Sequence, residues 1–140
     1  MANTAPLKPP GKVLVVDDDP DTLQILGITL QRAGYEVFRA SNGGQALEQM
    51  ELNDPETIVL DVMMPDMSGL EVLRSLKIKY PWPPPVVMLT AKGQITDKVA
   101  GMEAGAFKYL IKPISRDQLL ETVREAVEAK RNRPRLTGRQ

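Results

Sequence analysis

Three short runs, Val13–Val16, Ile58–Leu60 and Val86–Leu89, are wholly apolar and rich in β-branched residues, with nothing polar between them. A strand with one face in water alternates apolar and polar side chains; one that does not alternate must be covered on both faces. No other feature constrains the fold as strongly, because the cover has to come from the intervening segments. Tyr109–Ile111 is a fourth run of this kind. Tyr35–Ala40, by contrast, alternates and carries Glu36 and Arg39, which suits a sheet edge.

The intervening segments have helical spacing. Leu23, Leu26 and Leu30 share one face, with Gly34 as a stop signal. Leu70, Leu73 and Leu76 repeat the pattern, as do Ile95, Val99 and Met102, then Leu119, Val123 and Val127, with a shorter stretch over Gly43–Leu52. Start signals agree: Asp19 before Pro20 reads as an N-cap and first-turn proline, and Ser68 with Glu71 and Ser115 with Gln118 have capping-box spacing. The order is β-α five times over, which implies an α/β fold, a doubly wound parallel sheet with helices on both faces. Pro81–Pro85, PWPPP, cannot be helical and reads as a stiff, extended connector before the fourth strand.

At 140 residues the chain is one domain able to bury its own core. Residues 1–10 read as a disordered lead without the apolar stretch of a signal peptide, and residues 131–140 as a basic tail or linker. Lys plus Arg and Asp plus Glu number 18 each, so net charge points to neither nucleic acid nor membrane, and direct nucleic-acid binding is not expected. No apolar run approaches the roughly 20 residues of a membrane span. Cysteine is absent, which removes disulfides and thiolate metal sites and fits a reducing, cytoplasmic location. Histidine is absent too, so the chain can hold neither a phosphohistidine nor a His-ligated metal.

Against this background, Lys12–Asp21, KVLVVDDDPD, ends a buried run by crowding three carboxylates together. Two unit charges about 4 Å apart repel by roughly 4 kcal/mol at an effective dielectric near 20, so the cluster needs a cation, a shifted protonation equilibrium or open water. Other strand ends carry matching chemistry. Asp61 closes the third strand, Thr90 the fourth, and Lys112 follows the fifth. In a parallel sheet these ends share one rim, and open α/β sheets bind ligands outside it. Asp19 is better explained as a helix cap than as a member of the set. Hard oxygen donors without His or Cys point to Mg²⁺. A carboxylate beside Mg²⁺ can be a nucleophile toward phosphorus, with Lys112 and Thr90 neutralising the phosphoryl oxygens.

VLVVDDDP, IVLDVMMPDMSGLEVL, VVMLTA and GAFKYLIKP, in that order, resemble the receiver domain of bacterial two-component response regulators, over about residues 11–130. The resemblance implies a flavodoxin-like (βα)5 fold with strand order 2-1-3-4-5. It implies Asp61 as phosphoryl acceptor; Asp18 as a direct and Asp17 as a mainly water-mediated Mg²⁺ ligand; and the Met63 backbone carbonyl as a further ligand. Thr90 and Lys112 would contact phosphoryl oxygens, the Lys112–Pro113 peptide would be cis, and Tyr109 would be the aromatic whose inward rotation reports phosphorylation. The implied function is a phosphorylation-activated switch, not a conventional enzyme: it catalyses its own phosphoryl acceptance and slow loss. The donor would be a sensor histidine kinase or phosphotransfer protein. The responding face would be the fourth helix, fifth strand and fifth helix, for a downstream output protein or domain or a homodimer. Phe107 and Lys108 depart from the polar or acidic residues common before the aromatic, and Lys92 and Met63 flank the site where relatives tune phosphate lifetime.

Two other readings compete. A haloacid-dehalogenase phosphatase needs Asp-x-Asp-x-Thr/Val; counted from Asp17 the fifth position is Asp21, and counted from Asp18 the third is Pro20, so neither register fits. A phosphate-independent pseudo-receiver shares the fold, but retention of Asp17, Asp18, Asp61, Thr90 and Lys112 argues against it.

Overall fold

The computed structural model describes residues 11–91 and 100–133. The elements run β1 (Lys12–Val16), α1 (Pro20–Arg32), β2 (Glu36–Ala40), α2 (Gly43–Asn53), β3 (Thr57–Asp61), α3 (Gly69–Lys79), β4 (Val86–Thr90), a helical stretch α4 over 100–103, β5 (Lys108–Ile111) and α5 (Arg116–Asn132). The strands form one sheet in the order β2-β1-β3-β4-β5, every neighbouring pair parallel. This is the flavodoxin-like arrangement, with the alternating strand β2 at an edge.

Successive strand residues point to opposite faces, and each face meets its own helices. Leu14, Val16, Ile58, Leu60, Val86 and Met88 pack with Ala46 and Met50 of α2 and Val72, Leu73 and Leu76 of α3. Val13, Val15, Val59, Val87 and Leu89 pack with Leu26 and Leu30 of α1 and Leu119, Val123 and Val127 of α5. Two cores on one sheet are why β1, β3 and β4 show no polar alternation. From β1 the chain passes to β2 on one side and then to β3 on the other. The C-terminal ends of β1 and β3 therefore border the crevice where strand order reverses.

The helix starts follow their local signals. Asp19 accepts from the Thr22 N–H at 3.2 Å ahead of Pro20, and Ser68 and Glu71 close a reciprocal capping box. Ser115 accepts from the Gln118 N–H. After α1, Gly34 turns the chain with φ 101°.

At the opposite end of the sheet from this rim, the proline-rich connector holds the end of α5. The Pro85 carbonyl accepts from the Ile58 N–H and the Thr57 hydroxyl, tying the connector to β3. Arg133 donates to the Pro83 carbonyl at 3.1 Å and lies over the Trp82 ring. The helix α5 continues through Asn132, so the basic residues expected to open a tail at 131 begin inside it. Arg131 pairs there with Glu56 at 2.6 Å, a partner 75 positions away. The expected lead over 1–10, Lys92, the apolar positions Ile95 and Val99, and residues 134–140 lie outside the described residues.

Candidate functional site

Four strand ends build the site. Asp17 follows β1 directly, and its N–H donates to the Ala40 carbonyl, which extends the β1–β2 pairing and fixes the backbone. Its side chain is fully buried; one oxygen accepts from the Asp19 N–H at 2.9 Å and the other from the Lys112 ammonium at 3.0 Å. Asp61 is the last residue of β3, paired in register with Leu89 and 5% exposed. The same Lys112 ammonium stands 3.3 Å from its carboxylate. Asp18 is exposed, and one oxygen from each of Asp17, Asp18 and Asp61 lies within 4.8 Å of the others.

Thr90 ends β4 on the same rim and is buried; its carbonyl accepts from the Lys112 N–H at 2.8 Å, which draws the end of β5 against that of β4. The Lys112–Pro113 peptide is cis. Met63 is two residues beyond Asp61, with its side chain half exposed. Tyr109 is not part of the carboxylate cluster. It lies along β5 opposite Met88, buried with the core on the α2 and α3 side, and its ring packs so closely over Gly101 that a Cβ there would sit 2.6 Å from Cε2. Its aromatic ring is buried.

Burial, and then the charge of Asp17, push the Asp61 carboxyl up to about 6, against the opposing pull of Lys112. Burial of Lys112 draws its own pKa down, but the Asp17 hydrogen bond and the charges of Asp61 and Asp17 outweigh it and hold the ammonium above its ordinary value. One cation thus serves two buried carboxylates and leaves negative charge over. Three converging carboxylates with that excess suit a divalent cation that prefers oxygen ligands, and Mg²⁺ fits them in charge and ligand type. Asp19 stays outside the set: its hydrogen bonds from the Thr22 side chain and backbone lower its pKa and commit it to capping α1.

Two supporting residues lie within IVLDVMMPDMSGLEVL, but no role for either is legible there. Gly69 opens α3 against the back of the acceptor strand, where a Cβ would overlap the Asp61 carbonyl oxygen, and its N–H donates to Val62. Asp66 accepts from the Gly43 and Gly44 N–H groups at the start of α2, more than 20 positions away. The paired glycines at a helix start hint at open amides needing a partner, but nothing local says which acid supplies it.

Comparison with known proteins agrees with this geometry. The family model for the response regulator receiver domain matches residues 13–124. The alkaline phosphatase synthesis transcriptional regulatory protein PhoP of Bacillus subtilis is 46% identical over 107 residues, which is 74% of this chain and 43% of that protein. Among solved structures, one of a putative response regulator from Chloroflexus aurantiacus is 38% identical, with a TM-score of 0.80 over 86% of this chain and 99% of that one. NtrX from Brucella abortus is 28% identical with a TM-score of 0.81, over 86% of this chain but 28% of its own. The chain therefore spans less than half the length of PhoP and of NtrX. Among the described residues, no helix is long and apolar enough to cross a membrane.

Proposed function

The chain belongs to the response regulator receiver domain family of two-component systems, and on that premise we propose that it is a signalling switch thrown by phosphorylation of Asp61. The observation that carries this reading is the buried Asp61 carboxylate at a strand end, facing Asp17, Asp18 and a shared lysine. An Asp61 oxygen attacks phosphorus in a phosphohistidine of a sensor histidine kinase or phosphotransfer protein. The P–N bond breaks, its electron pair returns to the imidazole, and an aspartyl phosphate forms. Without histidine, the chain cannot be its own donor.

Asp17, Asp18, Asp61 and the Met63 carbonyl would hold Mg²⁺, which when bound supplies positive charge to the phosphoryl oxygens. Lys112 releases Asp61 as the acceptor turns from carboxylate to acyl phosphate and follows the charge onto a phosphoryl oxygen. The Thr90 hydroxyl, buried on the same rim, donates to another. A phosphoryl group brings roughly −1.5 to −2 charges. Drawing Thr90 toward it tightens the β4 end, and Tyr109, seated over Gly101, is held in its inward position. That ties the acceptor to the face of α4, β5 and α5, where an output protein or domain, or a second copy in a homodimer, would dock. Slow hydrolysis of the acyl phosphate by the chain itself resets the switch, and the absence of cysteine suits a cytoplasmic setting.

The test is incubation with a small acyl phosphate and Mg²⁺. Mass spectrometry is expected to find one phosphoryl group on Asp61, none after chelation, and none on Asp61→Asn. A pseudo-receiver would bind neither Mg²⁺ nor phosphoryl group, and phosphorylated Asp61→Asn would refute the assignment.

A further inference from the structure

The segment between β3 and α3 carries Met63, and its base is held on β3. The Gly69 N–H donates to the Val62 carbonyl at 2.8 Å, and Gly69 itself lies flush against the Asp61 carbonyl. Its far side is held by Asp66. One carboxylate oxygen accepts from the Gly43 N–H at 3.2 Å and the other from the Gly44 N–H at 3.3 Å. Beneath these bonds Met67 presses on Gly43 so closely that a Cβ there would lie 2.7 Å from the Met67 Cβ.

These bonds are not the ordinary cap of α2. That role belongs to Asn42, whose side chain accepts from the Gln45 N–H at 2.8 Å. Asp66 instead brings a second acceptor, from 22 positions away, to two further amides of the same turn. Its charge meets the positive end of the helix, and the Gly43 hydrogen bond keeps its pKa below the usual carboxylate value, so it stays ionised without adding free negative charge to the rim. Met63 lies between the two anchors with its side chain 56% exposed, so packing of that side chain does little to hold its peptide.

We propose that Asp66 is a positioning residue: by strapping the segment after β3 to the start of α2, it sets the Met63 peptide for carbonyl ligation of a divalent cation beside Asp17, Asp18 and Asp61. The inference rests on the reading of that cluster as a Mg²⁺ site. The strap uses both carboxylate oxygens, so an amide in its place keeps one acceptor and a methyl none.

The experiment titrates the full chain with Mg²⁺ by calorimetry, and with Mn²⁺ while following line broadening of the Met63, Gly43 and Gly44 amides by NMR. Asp66→Ala is expected to bind Mg²⁺ about tenfold more weakly, the low end for groups that orient metal ligands. Asp66→Asn should fall between it and the unaltered chain, and Mn²⁺ broadening at Met63 should weaken in the same order. Asn42→Ala, which removes the cap of α2 and leaves the strap, should bind Mg²⁺ nearly as the unaltered chain does. Equal Mg²⁺ affinity in the unaltered chain and Asp66→Ala would overturn the proposal, as would an equal loss in Asn42→Ala. Failure of the unaltered chain to bind Mg²⁺ is a separate result that overturns the metal-site reading itself.

Discussion

Replacing Asp61 by Asn should stabilise the metal-free protein, and only above a defined pH. In the fold the Asp61 carboxyl is raised from 3.8 to about 6 by burial and then by the charge of Asp17, a net effect that already includes the help of Lys112. One unit of pKa corresponds to about 1.36 kcal/mol, so ionised Asp61 opposes folding by about 3 kcal/mol. Because the folded pKa lies above the unfolded one, this strain fades out as pH falls below the unfolded value of 3.8, where the carboxyl becomes protonated in both states. It grows as pH rises and is complete once pH has passed the folded value of about 6. Asn does not titrate and should escape it. Urea unfolding of both proteins in chelator, from about pH 3 to about pH 8, should therefore show stabilities that converge at the acid end and a gap of about 2–3 kcal/mol in favour of Asp61→Asn at the other. The corresponding rise in Tm is about 10 °C. Saturating Mg²⁺ should narrow the gap at high pH, since ligand at ten times its Kd stabilises the binding-competent chain by about 1.4 kcal/mol. A gap that stays constant with pH would refute the assignment of the strain to the Asp61 charge.

Lys112→Met leaves the buried Asp17 and Asp61 without their cation. It should lower stability at neutral pH by about 2–3 kcal/mol in chelator, with partial recovery in Mg²⁺; a loss that Mg²⁺ does not touch would count against carboxylate repulsion as its cause. Gly69→Ala drives a methyl into the Asp61 carbonyl, and should cost about 2 kcal/mol in denaturant unfolding and shift the amide resonances of β3. Arg131→Ala should cost about 1 kcal/mol at pH 7. Burial pulls the Glu56 pKa up, but the Arg131 hydrogen bond and charge outweigh it and hold it below 4.5. The stability Glu56 contributes is thus present above that pH and lost as pH falls, and Arg131→Ala should flatten this acid limb of the stability curve.

Much of the fold was legible because its determinants are local. Absence of alternation in Val13–Val16, Ile58–Leu60 and Val86–Leu89 requires cover on both sides, and a helix follows β1, β2 and β3 as their spacing implied. Caps at Asp19, Ser68 and Ser115 depend on bonds three residues long, so they too could be read from neighbours. The rim of Asp17, Asp18, Asp61, Thr90 and Lys112 followed from one topological fact, that parallel strands end on the same side.

Which groups touch was another matter. That one ammonium bridges Asp17 and Asp61, that Asp66 straps the segment after β3 to α2, and that Arg131 closes on Glu56 all join residues 22 to 95 positions apart. Such pairings have no local signal, since they exist only once two crossovers have brought their elements together. The strained ionisation of Asp61 has the same origin. A carboxyl in water titrates near its ordinary value; only enclosure by the folded sheet, with a second buried acid facing it, raises its pKa.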